Sequence, residues 1–136
     1  MIKILFVTVI TALAGFYQMY AGNDDLSDSI QRGQDVYMTN CMSCHMINGQ
    51  GVAGVYPPLA GEDSLMADVN LNIDIILKGQ KGEVMVNGQQ YNTDMPSQEY
   101  LSDEQIADVL NYVRNTWGNK AEMITSEQVK AQRDSQ

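Results

Sequence analysis

The sequence predicts an all-α domain of three to five helices with one small β-hairpin. Three observations carry this expectation. Apolar residues recur at three- and four-residue spacing over 30–41, 71–78 and 106–117, the period of a helix with one buried face. Helix-end signals flank these stretches, notably Gly79 and the Ser102-Asp103-Glu104-Gln105 capping box. Strand-like alternation is confined to Glu83–Tyr91, around the hairpin dipeptide Asn87-Gly88. A length of 136 residues, with no internal repeat, suits one domain.

The elements follow in order. In residues 1–22 the only charge is Lys3, and Ile4 to Ala14 is almost wholly apolar, which reads as a secretory signal peptide. Ala12-Leu13-Ala14 or Ala21-Gly22 would supply the exit site. The rival is an uncleaved anchor, although the apolar run is broken at Gln18 and falls short of the ~20 residues that span a bilayer. The domain proper is 23–118, and 119–136 is a C-terminal extension. After an acidic leader ending at Ser29, Ile30, Gly33, Val36, Tyr37 and Cys41 mark the first helix. Gly33 on its inward face predicts a close helix crossing; the competing reading is a tolerated exposed glycine.

Residues 49–61 hold four glycines and two prolines and can only be a loop. A helical turn follows at Ser64–Ala67, then a helix over Leu71–Lys78 with Ile73, Ile76 and Leu77 inward. After the hairpin, Leu101 and Ile106 form a hydrophobic staple. The stripe Ile106, Val109, Leu110, Val113, Trp117 predicts a helix running to Gly118. Thr125 to Gln128 can cap one further short helix to about Arg133, polar and peripheral.

Composition narrows the chemistry. Two cysteines and one histidine cannot build a four-ligand structural zinc site or a multi-bridge disulfide scaffold. Eight basic against 17 acidic residues leave no basic patch for nucleic acid. All three scarce residues fall in Cys41-Met42-Ser43-Cys44-His45, the pattern for covalent c-type haem attachment. One helical turn puts both thiols on one face to add to the porphyrin vinyl groups, and His45 follows as an iron ligand. A thioredoxin-like dithiol would need the motif after a strand. A Cys41–Cys44 disulfide closes too small a loop to stabilise much. A Cys/His nucleophile draws its partners from distant parts of the chain.

With no second histidine, a sixth iron ligand must come from the nine methionines. Met42 and Met46 flank the attachment site, and Met66 and Met85 read first as gap-filling or hairpin residues. Met95, in an irregular stretch and followed by the rigid Pro96, is the first choice, ahead of Met85.

With these residues in place, the sequence resembles a class I mono-haem cytochrome c over about residues 29–118. The resemblance rests on Gly33-x3-Tyr37-x3-Cys41-x2-Cys44-His45, on Pro57-Pro58-Leu59-Ala60-Gly61, on Met95-Pro96, and on Leu101–Ile106 running into Tyr112–Asn119. The Val86–Gln89 hairpin and the Met-Pro-Ser-Gln stretch are similar to bacterial cytochromes that serve, or are fused to, respiratory enzymes such as copper nitrite reductases. The resemblance implies the class I fold, helices around one covalently bound haem. It also implies that the Pro57 carbonyl accepts the His45 ring N–H, that Leu59 packs on the haem, and that Gly33 and Tyr37 meet Val109 and Tyr112. Asp94 departs from the small or apolar residue usual before the ligand methionine.

The function expected from this reading is an exported, periplasmic electron carrier with His45 and Met95 as axial ligands, not itself an enzyme. Its expected partners are a redox donor and acceptor, with a basic docking face if the acidic charge steers them. One alternative is a membrane-tethered subunit of a reductase or oxidase complex. An alternative of another class is a haem enzyme or gas-binding protein with an open sixth site.

Overall fold

The computed structural model describes residues 25–61 and 63–136, so the expected export segment at 1–22 lies outside the described residues. Helix α1 (Leu26–Asn40) is capped by Asp25, whose carboxylate accepts the Ser27 N–H at 2.7 Å. That cap starts the helix four residues before Ile30, so most of the expected leader is helix. Its buried residues Ser29, Gly33 and Tyr37 lie four apart on one face. At Cys41 the chain passes into a four-residue helix, α2 (Met42–His45), which stops at Met46 with φ 63°.

Helix α5 (Asp103–Val113) has the expected capping box. The Gln105 N–H donates to Ser102 Oγ at 3.1 Å, and the Ser102 N–H donates to Gln105 Oε1 at 3.0 Å. It ends four residues short of Trp117. Polar side chains claim the last carbonyls instead: Asn115 donates to Asn111 O, Thr116 to Tyr112 O, and Asn119 to Val113 O at 2.7 Å. Trp117 and Gly118, at φ 54° and 91°, then reverse the chain.

Helices α1 and α5 form the principal packing pair. A Cβ on Gly33 would run into the Asp108 carbonyl oxygen, so the glycine permits direct backbone contact. The exposed-glycine reading is excluded because Gly33 is buried. Asp108 and Tyr112 supply the atoms nearest to it, and the Tyr37 ring lies 5.3 Å from that of Tyr112. Beside the crossing, Asp108 is 3% exposed. It is compensated by Arg32, which donates to both carboxylate oxygens at 2.8 Å, and by Ser29 Oγ at 2.6 Å.

Between them lie α3 (Asp63–Ala67) and α4 (Val69–Lys78). Asp68 caps α4 by accepting the Leu71 N–H at 3.0 Å, which starts it two residues before the expected Leu71. Ile73 and Leu77 are buried, and Gly79 at φ 75° ends the helix. Strands β1 (Val84–Val86) and β2 (Gln89–Tyr91) pair antiparallel, Val84 opposite Tyr91, around Asn87-Gly88.

The extension departs most from expectation. Helix α6 (Ser126–Asp134) does start on Thr125, but it is docked rather than peripheral. Ile124 and Val129 are fully buried, and Asn111 holds Ile124 by both its N–H and its carbonyl at 2.7 and 2.8 Å. Arg133 donates to Asp103 at 2.7 Å and to the Leu101 carbonyl at 2.8 Å. Two inserted aliphatics and these hydrogen bonds seat an otherwise polar helix, which composition does not reveal. The described residues thus hold six helices, one more than expected, and a two-stranded sheet.

Gly33→Ala should lower stability by about 2 kcal/mol, the overlap outweighing alanine's higher helix propensity. Denaturant unfolding of the haem-loaded protein checks it; an unchanged or raised midpoint would contradict the close crossing.

Candidate haem site

The motif occupies the joint between α1 and α2. The Cys44 and His45 N–H groups both bond the Cys41 carbonyl, at 3.2 and 3.0 Å, which winds the five residues into one turn. The two thiols are not bonded to each other and are half-buried. Burial, then the neighbouring Cys44, pushes the Cys41 thiol up to about 11, so it is no activated nucleophile. The motif follows a helix rather than a strand, which removes the dithiol reading as well.

His45 is buried, and its Nδ1 lies 2.9 Å from the Pro57 carbonyl oxygen. A carbonyl only accepts, so Nδ1 carries the proton and Nε2 presents a lone pair. Burial lowers the imidazole's proton affinity more than the Pro57 bond raises it, so the ring is held neutral, the form that binds a metal. Nε2 has no hydrogen-bond partner among the described residues.

The loop 49–61 carries that carbonyl and is closely tied. The Gly51 N–H donates to His45 O at 3.0 Å, Val52 bridges Tyr56, and the Leu59 N–H donates to Gly49 O at 2.7 Å. A Cβ on Gly51, at φ 61°, would overlap the Tyr56 and Pro57 carbonyls, so glycine is what lets Pro57 sit there. Leu59 is partly buried against the core. The Tyr37 hydroxyl donates to the Met46 carbonyl and so fixes the left-handed residue after the histidine.

Met95 is half-buried on a loop fastened to the end of α4. It exchanges both backbone bonds with Gln80, at 2.9 and 3.0 Å. Ser97 Oγ donates to Leu77 O at 2.6 Å, and the Gln98 N–H donates to Ile76 O at 2.8 Å. Gly79 lacks the Cβ that would strike Met95 O. Met85 is 66% exposed on the hairpin. Met66 lines a separate cavity of about 350 Å³ with Arg114 and Ile124. Asp94 is exposed.

The donor set fits a haem c: two unpaired thiols one turn apart, a neutral imidazole with its second nitrogen unclaimed, and a thioether on a pinned loop.

Sequence reasoning passed over Tyr37 as a hydroxyl donor, Gly51, and the buried polar residues Asp108, Asn111 and Arg114. The last three recur at three-residue intervals, but a solvated helix face gives the same pattern, so the spacing does not single them out.

A covalent-haem turn inside a small helical domain defines the c-type class. Family comparison agrees: the cytochrome c model matches residues 30–117, and the chain belongs to the cytochrome c family. It carries a covalently bound haem c and transfers electrons. Cytochrome c-552 of Thermus thermophilus is 36% identical over 110 residues, 72% of this chain and 81% of that protein. The cytochrome c subunit of a quinone alcohol dehydrogenase from Gluconobacter oxydans is 36% identical over 90 residues, 65% of this chain and 19% of that subunit. The gluconate 2-dehydrogenase cytochrome c subunit of Pantoea cypripedii is 32% identical over 111 residues, 78% and 25%.

Burial raises the Tyr37 hydroxyl well above the usual tyrosine value. The folded chain therefore keeps a proton that the unfolded chain releases above about pH 10, and stability should fall as pH rises past that point. Tyr37→Phe should flatten that decline while lowering stability at neutral pH by about 1 kcal/mol. Denaturant unfolding at pH 7 and across pH 9–11 checks both.

Proposed function

We propose that this chain holds its haem through thioether bonds from Cys41 and Cys44, with His45 and Met95 as the axial iron ligands, and shuttles single electrons between redox proteins. The observation that carries the reading is the buried His45 ring, oriented by Pro57 and seated beside two unpaired thiols. When bound, the haem iron supplies the one-electron couple. The chain's part is to attach the group, exclude water from it, and set its ligand field. Pro57 draws on the Nδ1 proton and so strengthens imidazole donation, which favours the ferric state. A thioether from Met95 favours the ferrous state, and burial acts in the same direction. Were His45 and Met95 both to bind the iron, no ligand position would be left for a substrate.

The donor or acceptor is proposed to be a membrane or periplasmic dehydrogenase or oxidase with a basic docking face. Two of the relatives are cytochrome c subunits of dehydrogenases, and the formal charge here is −9. Export through residues 1–22 is proposed from the sequence. Among the described residues no helix is long and apolar enough to cross a membrane.

Met95→Ala should convert low-spin six-coordinate iron to a form that binds carbon monoxide readily, whereas Met85→Ala should leave the spectrum alone. A wild type that already binds carbon monoxide, and is unchanged by Met95→Ala, would favour the open-site reading. Cys41→Ala with Cys44→Ala should abolish haem staining on a denaturing gel. Electron transfer to a candidate partner should slow as salt rises, because exposed charges are screened beyond about 10 Å at 0.1 M; stopped-flow reduction across a salt series reads it.

A further inference from the structure

The segment that leaves α5 returns to the loop carrying Pro57 and grips it at both ends. At the start of that loop, the Trp117 ring lies so close to Gly49 that a Cβ there would overlap it. Gly49 O in turn receives the Leu59 and Ala60 N–H groups at 2.7 and 3.0 Å. At the end of the loop, Asn119 Nδ2 donates to Leu59 O at 2.9 Å and Asn119 Oδ1 accepts the Gly61 N–H at 3.0 Å. The second Nδ2 hydrogen goes to Val113 O at 2.7 Å. The side chain's two donors and its acceptor are thus all engaged, and it ties the loop to the end of α5. Asn119 lies beyond the 30–117 span matched by the family model.

We propose that Asn119 is a positioning residue for the iron's histidine. By holding Leu59 and Gly61 it fixes the end of the loop, and with it the Pro57 carbonyl two residues before Leu59, on the Nδ1–H of His45. The role rests on the reading of His45 as an axial ligand. The loop contains no helix or strand of its own, only the Val52–Tyr56 bridge, so its order comes from such fastenings. Aspartate at 119 keeps the shape, loses both donors, and sets a negative charge against two carbonyl oxygens. Asn115 supplies a matched control. It also bonds through both ends, donating to Asn111 O at 3.0 Å and accepting the Ala121 N–H at 3.1 Å, but it ties the extension and not the loop.

The test uses the haem-loaded ferrous protein and follows solvent exchange of the His45 ring N–H by NMR, together with the reduction potential. Asn119→Asp should accelerate that exchange roughly tenfold, the effect of losing two ordinary hydrogen bonds. In Asn119→Ser, which adds no charge, the potential should also rise, because a weaker Nδ1–H bond makes the imidazole a poorer donor. Asn115→Ser should lower the unfolding midpoint and leave both readouts at their wild-type values. If Asn119→Asp fails to fold, Asn119→Ser carries the same expectation in weaker form. A ring N–H that is protected in the wild type and equally protected in the folded Asn119 variants would overturn the role of Asn119 and leave the ligand reading standing. A ring N–H already unprotected in the wild type would overturn the His45–Pro57 bond, and this proposal with it.

Discussion

The contact of α1 with α5 at Gly33 is the constraint on which the rest of the structure depends. With no Cβ between them, the two backbones meet at Asp108, and the attachment turn and the fastenings of the Pro57 loop hang from the far ends of these helices. One end of α1 delivers Cys41 and, a turn later, His45. The end of α5 delivers Trp117 and Asn119 to the loop that carries Pro57. Tyr37, Tyr112 and Trp117 fill the wedge between the two helix ends with ring centroids 5.1–5.3 Å apart. A shift at the crossing would therefore move the histidine relative to its acceptor, because both are levered from the same point.

A second consequence concerns charge. The three arginines turn inward: Arg32 onto Asp108, Arg114 onto the Leu65 and Glu122 carbonyls, and Arg133 onto Asp103 and the Leu101 carbonyl. Arg114 is buried, and its proton affinity is lowered by that burial. Two of the lysines sit in exposed i,i+4 pairs, Lys78 with Asp74 and Lys130 with Asp134, where solvent screens the charges. With its arginines committed to internal bonds, the surface is left dominated by carboxylates. A carrier that must dock briefly and release gains from such long-range steering more than from tight contacts.

Much of the local structure was legible in the residues because its causes are local. The capping boxes at Ser102 and Thr125, the Asn87-Gly88 turn and the Gly79 stop each depend on groups within a few positions. The Cys-x-x-Cys-His turn is likewise local, since one helical turn suffices to align its thiols. Where the structure differs from expectation, the deciding partner lies beyond the next helical turn or on another element. The end of α5 at Val113 depends partly on Asn119 reaching back, and the seating of α6 depends on Asn111 and on the slot that receives Val129.

The sequence by itself determined the chemistry: one contiguous unit of two thiols and an imidazole, and a fold class set by helical periodicity. Only the tertiary structure decided which polar residues are buried and what they hold. Ser29, Asp108 and Asn111 look like ordinary members of a solvated helix face until α1, α5 and the extension close around them. Their burial is tolerable because every partner comes from another element, and such compensation across 79 and 82 residues leaves no trace in spacing.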